Sequence, residues 1–354
     1  MMRARPMRWH TGYGLICLCV LGAIARAGEP SAPRSLVPIE HQRTPDQTFL
    51  TFPEWYLVYS PAEYARFVKD RNPSDFPFFG HLGQFWQSYR AVHNATKTAH
   101  PFNFGYHVMI MVIGVSTSIE YALRAAYETT IGRVAELARG ESATQEDIFG
   151  AEVAQDYVDF IRVDPWYQYN FLNQAKRLWT QTSLWGPNLI RKWERKYALT
   201  TEYLIKAGYG GLIKLGAQSS YDAPLPVTAS VLDQWPADGS AQLPELKLLH
   251  RREDGKALVT IPRYQAFTAY SQQLAQRGIR FVDIAGNPSV ILISVWVPAG
   301  KIPFVPQAKP LFTQPILTQP ARQRVAWVVP VAALSDVLND LAKRRFEVEH
   351  VYDY

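Results

Sequence analysis

Tyr106-His-Val-Met-Ile-Met-Val-Ile-Gly-Val-Ser-Thr-Ser-Ile119 is the most unusual stretch of the chain, and whether it is core or membrane segment decides the fold. Its strictly apolar part, Val108 to Val115 plus Ile119, falls short of the roughly 20 residues that a spanning helix needs. That length suits a buried core helix first, an interfacial or re-entrant segment second, and a transmembrane span third. A span would put the two halves of the chain on opposite sides of a membrane. The stretch continues through Glu120, Arg124 and Glu128 to about Arg139, with Gly140 as a C-terminal stop, so one apolar helix is expected over about 106–139. Glu120, Arg124 and Glu128 share one face at i, i+4 and i+8 and can pair in series. A carboxylate at the edge of an apolar run must be paired, protonated or wet, which makes Glu120 a candidate acid–base residue; an ion-paired stripe is the simpler reading. His107 lies 13 positions before Glu120, about 20 Å away and on another face, so the two cannot share a metal within this helix.

Around this segment, residues 49–215 have a helical pattern. Ser60-Pro61-Ala62-Glu63 and Thr144-Gln-Glu-Asp147 read as capped helix starts, Asp164-Pro165 opens a segment through Trp179, and Gly186-Pro187 opens a long helix from Asn188 to about Lys214. Residues 28–48 and 216–245 are rich in Pro, Ser, Gly and charge and are expected to be linkers. Residues 246–354 change rhythm. Strands are expected at 257–261, 279–284, 290–297, 324–329 and 346–352, helices at 264–276 and 334–343, with a Pro-rich excursion through 298–320. The order βαββ, insertion, βαβ resembles a ferredoxin-like α/β sandwich with an extra strand or hairpin. The expected fold class is α+β, a mainly helical N-terminal domain followed by a smaller ferredoxin-like α/β sandwich domain; such a fold hosts many functions.

The first 27 residues read as a signal peptide. Arg3, Arg5 and Arg8 precede the apolar run Gly14–Ala25, and Ala25-Arg26-Ala27 fits a small-x-small cleavage site. Neither Cys17 after Ile16 nor Cys19 after Leu18 suits lipidation. Cleavage would take away four arginines and no acids, lowering the formal net charge from +6 to +2, so the basic balance is no nucleic-acid signal. It would also remove both cysteines. A thiol-free mature chain has no disulfide, Cys nucleophile, iron–sulfur cluster or thiolate zinc site. The expected location is therefore exported, in the periplasm or cell envelope.

No HExxH or i, i+4 His pair occurs, so no metal site and no cofactor are expected. Gly114-Val-Ser-Thr-Ser118 lacks the closing glycine of a nucleophile elbow, and Gly208-Tyr-Gly-Gly-Leu-Ile-Lys214 has the wrong spacing for a phosphate loop. His81, in Phe78-Phe-Gly-His-Leu-Gly83 before an aromatic helix bearing Arg90, is a second acid–base candidate. Phe52-Pro-Glu-Trp-Tyr56, Asp164-Pro-Trp-Tyr167 and Arg191-Lys-Trp-Glu-Arg195 mix aromatic and charged residues, as do grooves for polar-headed apolar ligands and protein-partner surfaces. They supply Trp55, Trp166, Arg191 and Trp193 as binding candidates, with Arg90 and Arg124, and Glu54 as a third acid–base candidate. Local packing with ion pairs is the plainer reading of these blocks.

From Phe52 to Arg133 and on through Arg195 the chain resembles uncharacterised bacterial envelope proteins, a resemblance that implies no activity. The 13% aromatic content, with ten Trp and nineteen Tyr, suits residues at wet and greasy boundaries. The leading expectation is a non-catalytic, membrane-associated envelope protein whose helical domain contacts lipid, membrane or a protein partner. The alternative is an envelope enzyme, which requires Glu54, His81, Arg90 and Glu120 to meet in one polar pocket.

Overall fold

Helix α1, Gln47–Phe67, runs unbroken through Pro53 and Pro61. The expected helix start at Ser60 is therefore absent. The Ser60 hydroxyl is spent on His81 and Tyr121 instead of capping, and burial of Phe52, Trp55, Tyr56 and Tyr59 along this helix outweighs the local stop signal. The computed structural model describes residues 35, 37–140, 142–217, 226–236 and 243–353, so the expected signal peptide and the first part of the expected linker ahead of α1 lie outside the described residues.

Helix α2, Phe78–Thr96, packs on α1 and on α3, Phe104–Tyr127. The helix continues through a π-helical turn, Glu128–Gly132, into α4, Arg133–Leu137. Together these make the long apolar helix that was expected, begun two residues earlier by Asn103, whose side chain accepts from the Tyr106 amide at 3.2 Å. The close approach of α3 to α2 is set at Gly114, where a Cβ would lie 2.5 Å from Phe85 and 2.7 Å from Trp86. Helix α5, Gln145–Ile161, opens with the predicted Thr144–Asp147 capping box. Helix α6, Phe171–Gln181, is capped by Asn170, beyond Asp164-Pro165. Helix α7, Leu189–Ala217, follows Gly186-Pro187 and packs on α4, α5 and α6.

The remaining strands form two four-stranded antiparallel sheets. The first holds β1 (Val227–Leu232), β2 (Lys247–Arg251), β3 (Ala257–Pro262) and β4 (Phe281–Ile284), in the order β2-β3-β1-β4, with helix α8, Gln265–Gln276, between β3 and β4. The second holds β5 (Val290–Pro298), β6 (Lys309–Pro315), β7 (Arg322–Pro330) and β8 (Glu347–Val351), in the order β6-β7-β5-β8, with helix α9, Leu334–Lys343, between β7 and β8. The chain is thus α+β, helices first and sheets after, and the sheet part is one βββαβ unit used twice. Read from the last strand, each unit has the 4-1-3-2 order of a ferredoxin-like sheet, with an irregular connection where the first crossover helix would be. Two expectations change. The second linker region contains β1, and the Pro-rich excursion contains β6.

Strand alternation divides the faces of the second sheet. Ile291, Ile293, Val295 and Val297 of β5 join Phe267 and Leu274 of α8 and Val337 and Leu341 of α9 in a core shared by both sheets. Leu292 of β5, Ala326 of β7 and Tyr352 face the other way and pack with Phe52, Tyr56 and Tyr59 of α1. Thr48 Oγ1 accepts from the Leu292 amide at 2.9 Å, and Gln314 Nε2 donates to the Gln84 carbonyl at 2.7 Å. Ser35–Tyr354 forms one compact unit in which helical part and sheets share a core.

Candidate functional site

The polar centre of the junction is Arg324 on β7. Its Nη2 donates to Glu63 Oε1 of α1 at 3.0 Å and to Glu349 Oε1 of β8 at 2.8 Å, and its guanidinium lies over the Tyr59 ring at 4.5 Å. His81 is enclosed beside it. Its Nδ1 is 3.0 Å from Ser60 Oγ and 3.2 Å from the Tyr56 hydroxyl, while its Nε2 faces Glu63 at 3.7 Å, beyond hydrogen-bonding range. Burial, aided by the Arg324 charge, pushes the His81 pKa down to about 3, so the imidazole is neutral. Burial also raises the Glu63 carboxyl, against the pull of Arg324. Ser, His and Glu meet here without access to solvent, at 1, 0 and 1% exposure. No substrate atom can reach them as the chain stands, and the group fastens α1 to the second sheet.

The open site is a cleft of about 2010 Å³ between α3 on one side and α5 and α7 on the other. Its walls are apolar: Val108, Met111, Val115 and Ile119 on α3 face Ala151 on α5 and Leu199, Ile205 and Ile213 on α7. Among the charged residues that line it, Glu120, Arg124, Glu202 and Lys206 form one cluster. Lys206 Nζ is 2.7 Å from Glu202 Oε1 and 3.1 Å from Glu120 Oε1. Arg124 Nη1 lies 3.5 Å from Glu202 and 3.6 Å from Glu120. Aromatic rings hold both cations, Tyr64 at 4.5 Å from the Arg124 guanidinium and Tyr157 at 5.3 Å from Lys206 Nζ. Burial would raise the Glu202 carboxyl, but Arg124 and Lys206 outweigh it and bring its pKa down to about 2.

No protein-family model, curated protein or solved structure matches the chain. The site is accordingly read from its own geometry.

At one end of the cleft, which Glu128, Glu146, Arg195 and Tyr197 also line, the α4 and α7 end of the helical part has its polarity turned inside out. On the first turns of α7, Arg191, Lys192, Glu194, Arg195 and Lys196 are buried, while Ile190, Trp193 and Tyr197 point outward. Across from them Glu128, Glu136 and Glu146 are buried, while Ile131, Val134, Leu137 and Ile148 are exposed. The charges satisfy one another. Arg191 pairs with Asp147 at 2.8 Å and Glu194 at 2.9 Å, Lys192 with Glu146 at 3.0 Å, and Arg195 with Glu128 at 2.9 Å; Lys196 reaches Glu146 at 3.3 Å. The turn between α6 and α7 adds Leu184 and Trp185, the latter 73% exposed.

The sequence candidates separate into several places. Glu120 and Arg124 line the cleft, as does Trp166, stacked on Tyr209 at 5.5 Å. Trp193 lies on the exposed face, edge-on to Trp179 at 6.0 Å, while Arg191 is fully buried beneath it. Trp55 is buried against His350 at 3.6 Å between α1 and β8. Glu54 accepts from the Tyr106 hydroxyl at 2.8 Å and is held above the usual carboxylate range by burial. Arg90 is exposed on α2. Glu54, His81, Arg90 and Glu120 therefore do not converge on one pocket. Glu128 does not continue the Glu120–Arg124 series, because the π-turn directs it to Arg195. Among the described residues no group of three or more His, Cys, Asp or Glu could hold a metal. Glu202, Lys206, Tyr64 and Tyr157 went unnoticed in the sequence. The i, i+4 spacing of Glu202 and Lys206 was the available signal, and only the placement of α7 across the cleft from α3 gives it meaning.

Proposed function

We propose that this is a membrane-associated protein of the cell envelope that seats the α4 and α7 end of its helical part in the apolar layer of a membrane and binds an amphipathic molecule in the cleft, with no chemical step of its own. The observation that carries this reading is the inverted polarity of α4, α7 and the turn before α7. In water, exposing Trp185, Ile190, Trp193, Tyr197, Val134 and Leu137 while burying a balanced set of charges runs against the hydrophobic effect. In contact with hydrocarbon the same arrangement is favourable, by about 1.5–3 kcal/mol for each large side chain that leaves water. Phe104–Leu137 is long and apolar enough to cross a membrane, but length and composition are shared with core helices, and its Gly114 side is packed against α2. Insertion from one side accounts for both facts. The leader supports export.

Flotation of the full chain with phosphatidylcholine vesicles tests the membrane contact. Co-flotation is expected, and Trp185→Ser with Trp193→Ser should lower partitioning at least roughly tenfold. A monodisperse chain that stays at the bottom of the gradient overturns the reading, and a stable oligomer with this face covered would make it a protein interface instead. N-terminal sequencing of the protein from envelope fractions should begin at Gly28.

A further inference from the structure

The cleft's charged cluster has a composition that restricts its ligand. Two cations and two carboxylates sit together among apolar and aromatic walls, so the set is neutral as built. Its bonds are unequal. Glu202 is closely held by Lys206 at 2.7 Å, whereas the nearest approach of Arg124 to either acid is 3.5 to 3.6 Å, from Nη1, and among the described residues its Nε and Nη2 make no hydrogen bond to a carboxylate. Glu120 is the most exposed member, with 39% of its side chain accessible against 16 to 24% for the others. Arg124 offers planar donors suited to a phosphate or carboxylate, and Glu120 offers an acceptor to an ammonium group.

A ligand of either net charge would leave one member of the set unpaired among apolar walls, which is costly. A zwitterion exchanges pair for pair. We infer that the cleft binds a zwitterionic amphipath, its anionic oxygens on Arg124 and Lys206, its ammonium on Glu120 beside the tyrosines, and its hydrocarbon along Val108, Met111, Val115 and Ile119 of α3. At 1.5 Å per residue α3 extends about 36 Å, ample for an acyl chain. The inference rests on the membrane reading above, and it names the molecule the cleft takes from that membrane.

Retention of phosphatidylethanolamine, phosphatidylglycerol and diacylglycerol by the full chain, exchanged from detergent and followed by native mass spectrometry, provides the test. Phosphatidylethanolamine should be retained at least roughly tenfold better than either of the others. Arg124→Gln should remove that preference, and Glu120→Gln should shift it towards phosphatidylglycerol, with circular dichroism and melting temperature showing that each variant folds. Sodium phosphate up to millimolar concentration should not displace the lipid; displacement would make the site one for free phosphate. Equal retention of the three lipids, or a preference that survives Arg124→Gln in a folded protein, overturns the inference. Vesicle flotation of the same variants separates the two claims, because it should be unchanged where the lipid preference is lost. Loss of flotation in the native chain would instead bring down the membrane reading.

Discussion

Arg324 shows what a single buried charge can decide. It stands at 0% exposure between two carboxylates that would otherwise repel one another, so its removal leaves two uncompensated acids inside the protein. Arg324→Ala should cost about 3–5 kcal/mol of unfolding free energy, read by urea denaturation. His81 sets a different dependence. Its pKa falls from 6.5 in the open chain to about 3 in the fold, so the unfolded chain gains a proton that the native protein refuses. The stability from neutral His81 is complete above pH 6.5 and drains away as the pH falls towards 3, by about 1.4 kcal/mol per pH unit. His81→Gln should flatten that part of the stability-against-pH curve; an unchanged slope would show that the histidine does not titrate as described. His81 was conspicuous in the sequence, but its role was hidden. The arginine that disfavours its charge lies on a strand remote in sequence, and neither spacing nor composition records such a pairing.

The elements tell a similar story about glycine and proline. Gly114 and Gly83 are both helical, yet a Cβ on Gly114 would strike Phe85 and Trp86, whereas one on Gly83 meets nothing within 4 Å. Gly114→Ala should therefore destabilise by about 1–3 kcal/mol through overpacking, and Gly83→Ala should stabilise by roughly 0.5–1 kcal/mol. Thermal melts of the pair check the close approach of α2 and α3. The helices were legible because their apolar faces repeat over many turns and Thr144 carries its own start signal. Of the three strands that escaped notice, β2 and β6 are at sheet edges and β1 is an interior strand. Strand β6 contains Pro310 and Pro315, tolerable only because it is the outermost strand of its sheet. Strand β2 is exposed along its whole length and shows no alternation, and β1 lies amid residues whose composition suggests a linker. The Glu120–Arg124 step of the cleft was legible at i, i+4. Its completion by Glu202 and Lys206 was not, because the π-turn and the docking of α7 are tertiary events.

Across the whole molecule, one βββαβ unit presents its outer sheet face to the helices while its twin takes Val37 and its neighbours on the corresponding face. The helical part in turn shows apolar residues outward at its far end. Because that face carries few free charges, vesicle binding should survive high salt and need no anionic lipid; flotation that collapses in salt would point to electrostatic attachment. The junction between the two parts also bears on how the chain is made. Tyr59 bonds to Tyr352 and Glu63 to Arg324 across separations of 293 and 261 residues, so the first helix formed has its buried side completed only by the last strand to emerge. Such distant closure is slow, since α1 is complete long before the strands that cover it are made. During synthesis α1 must wait with Phe52 and Tyr59 uncovered, a state that invites aggregation in water.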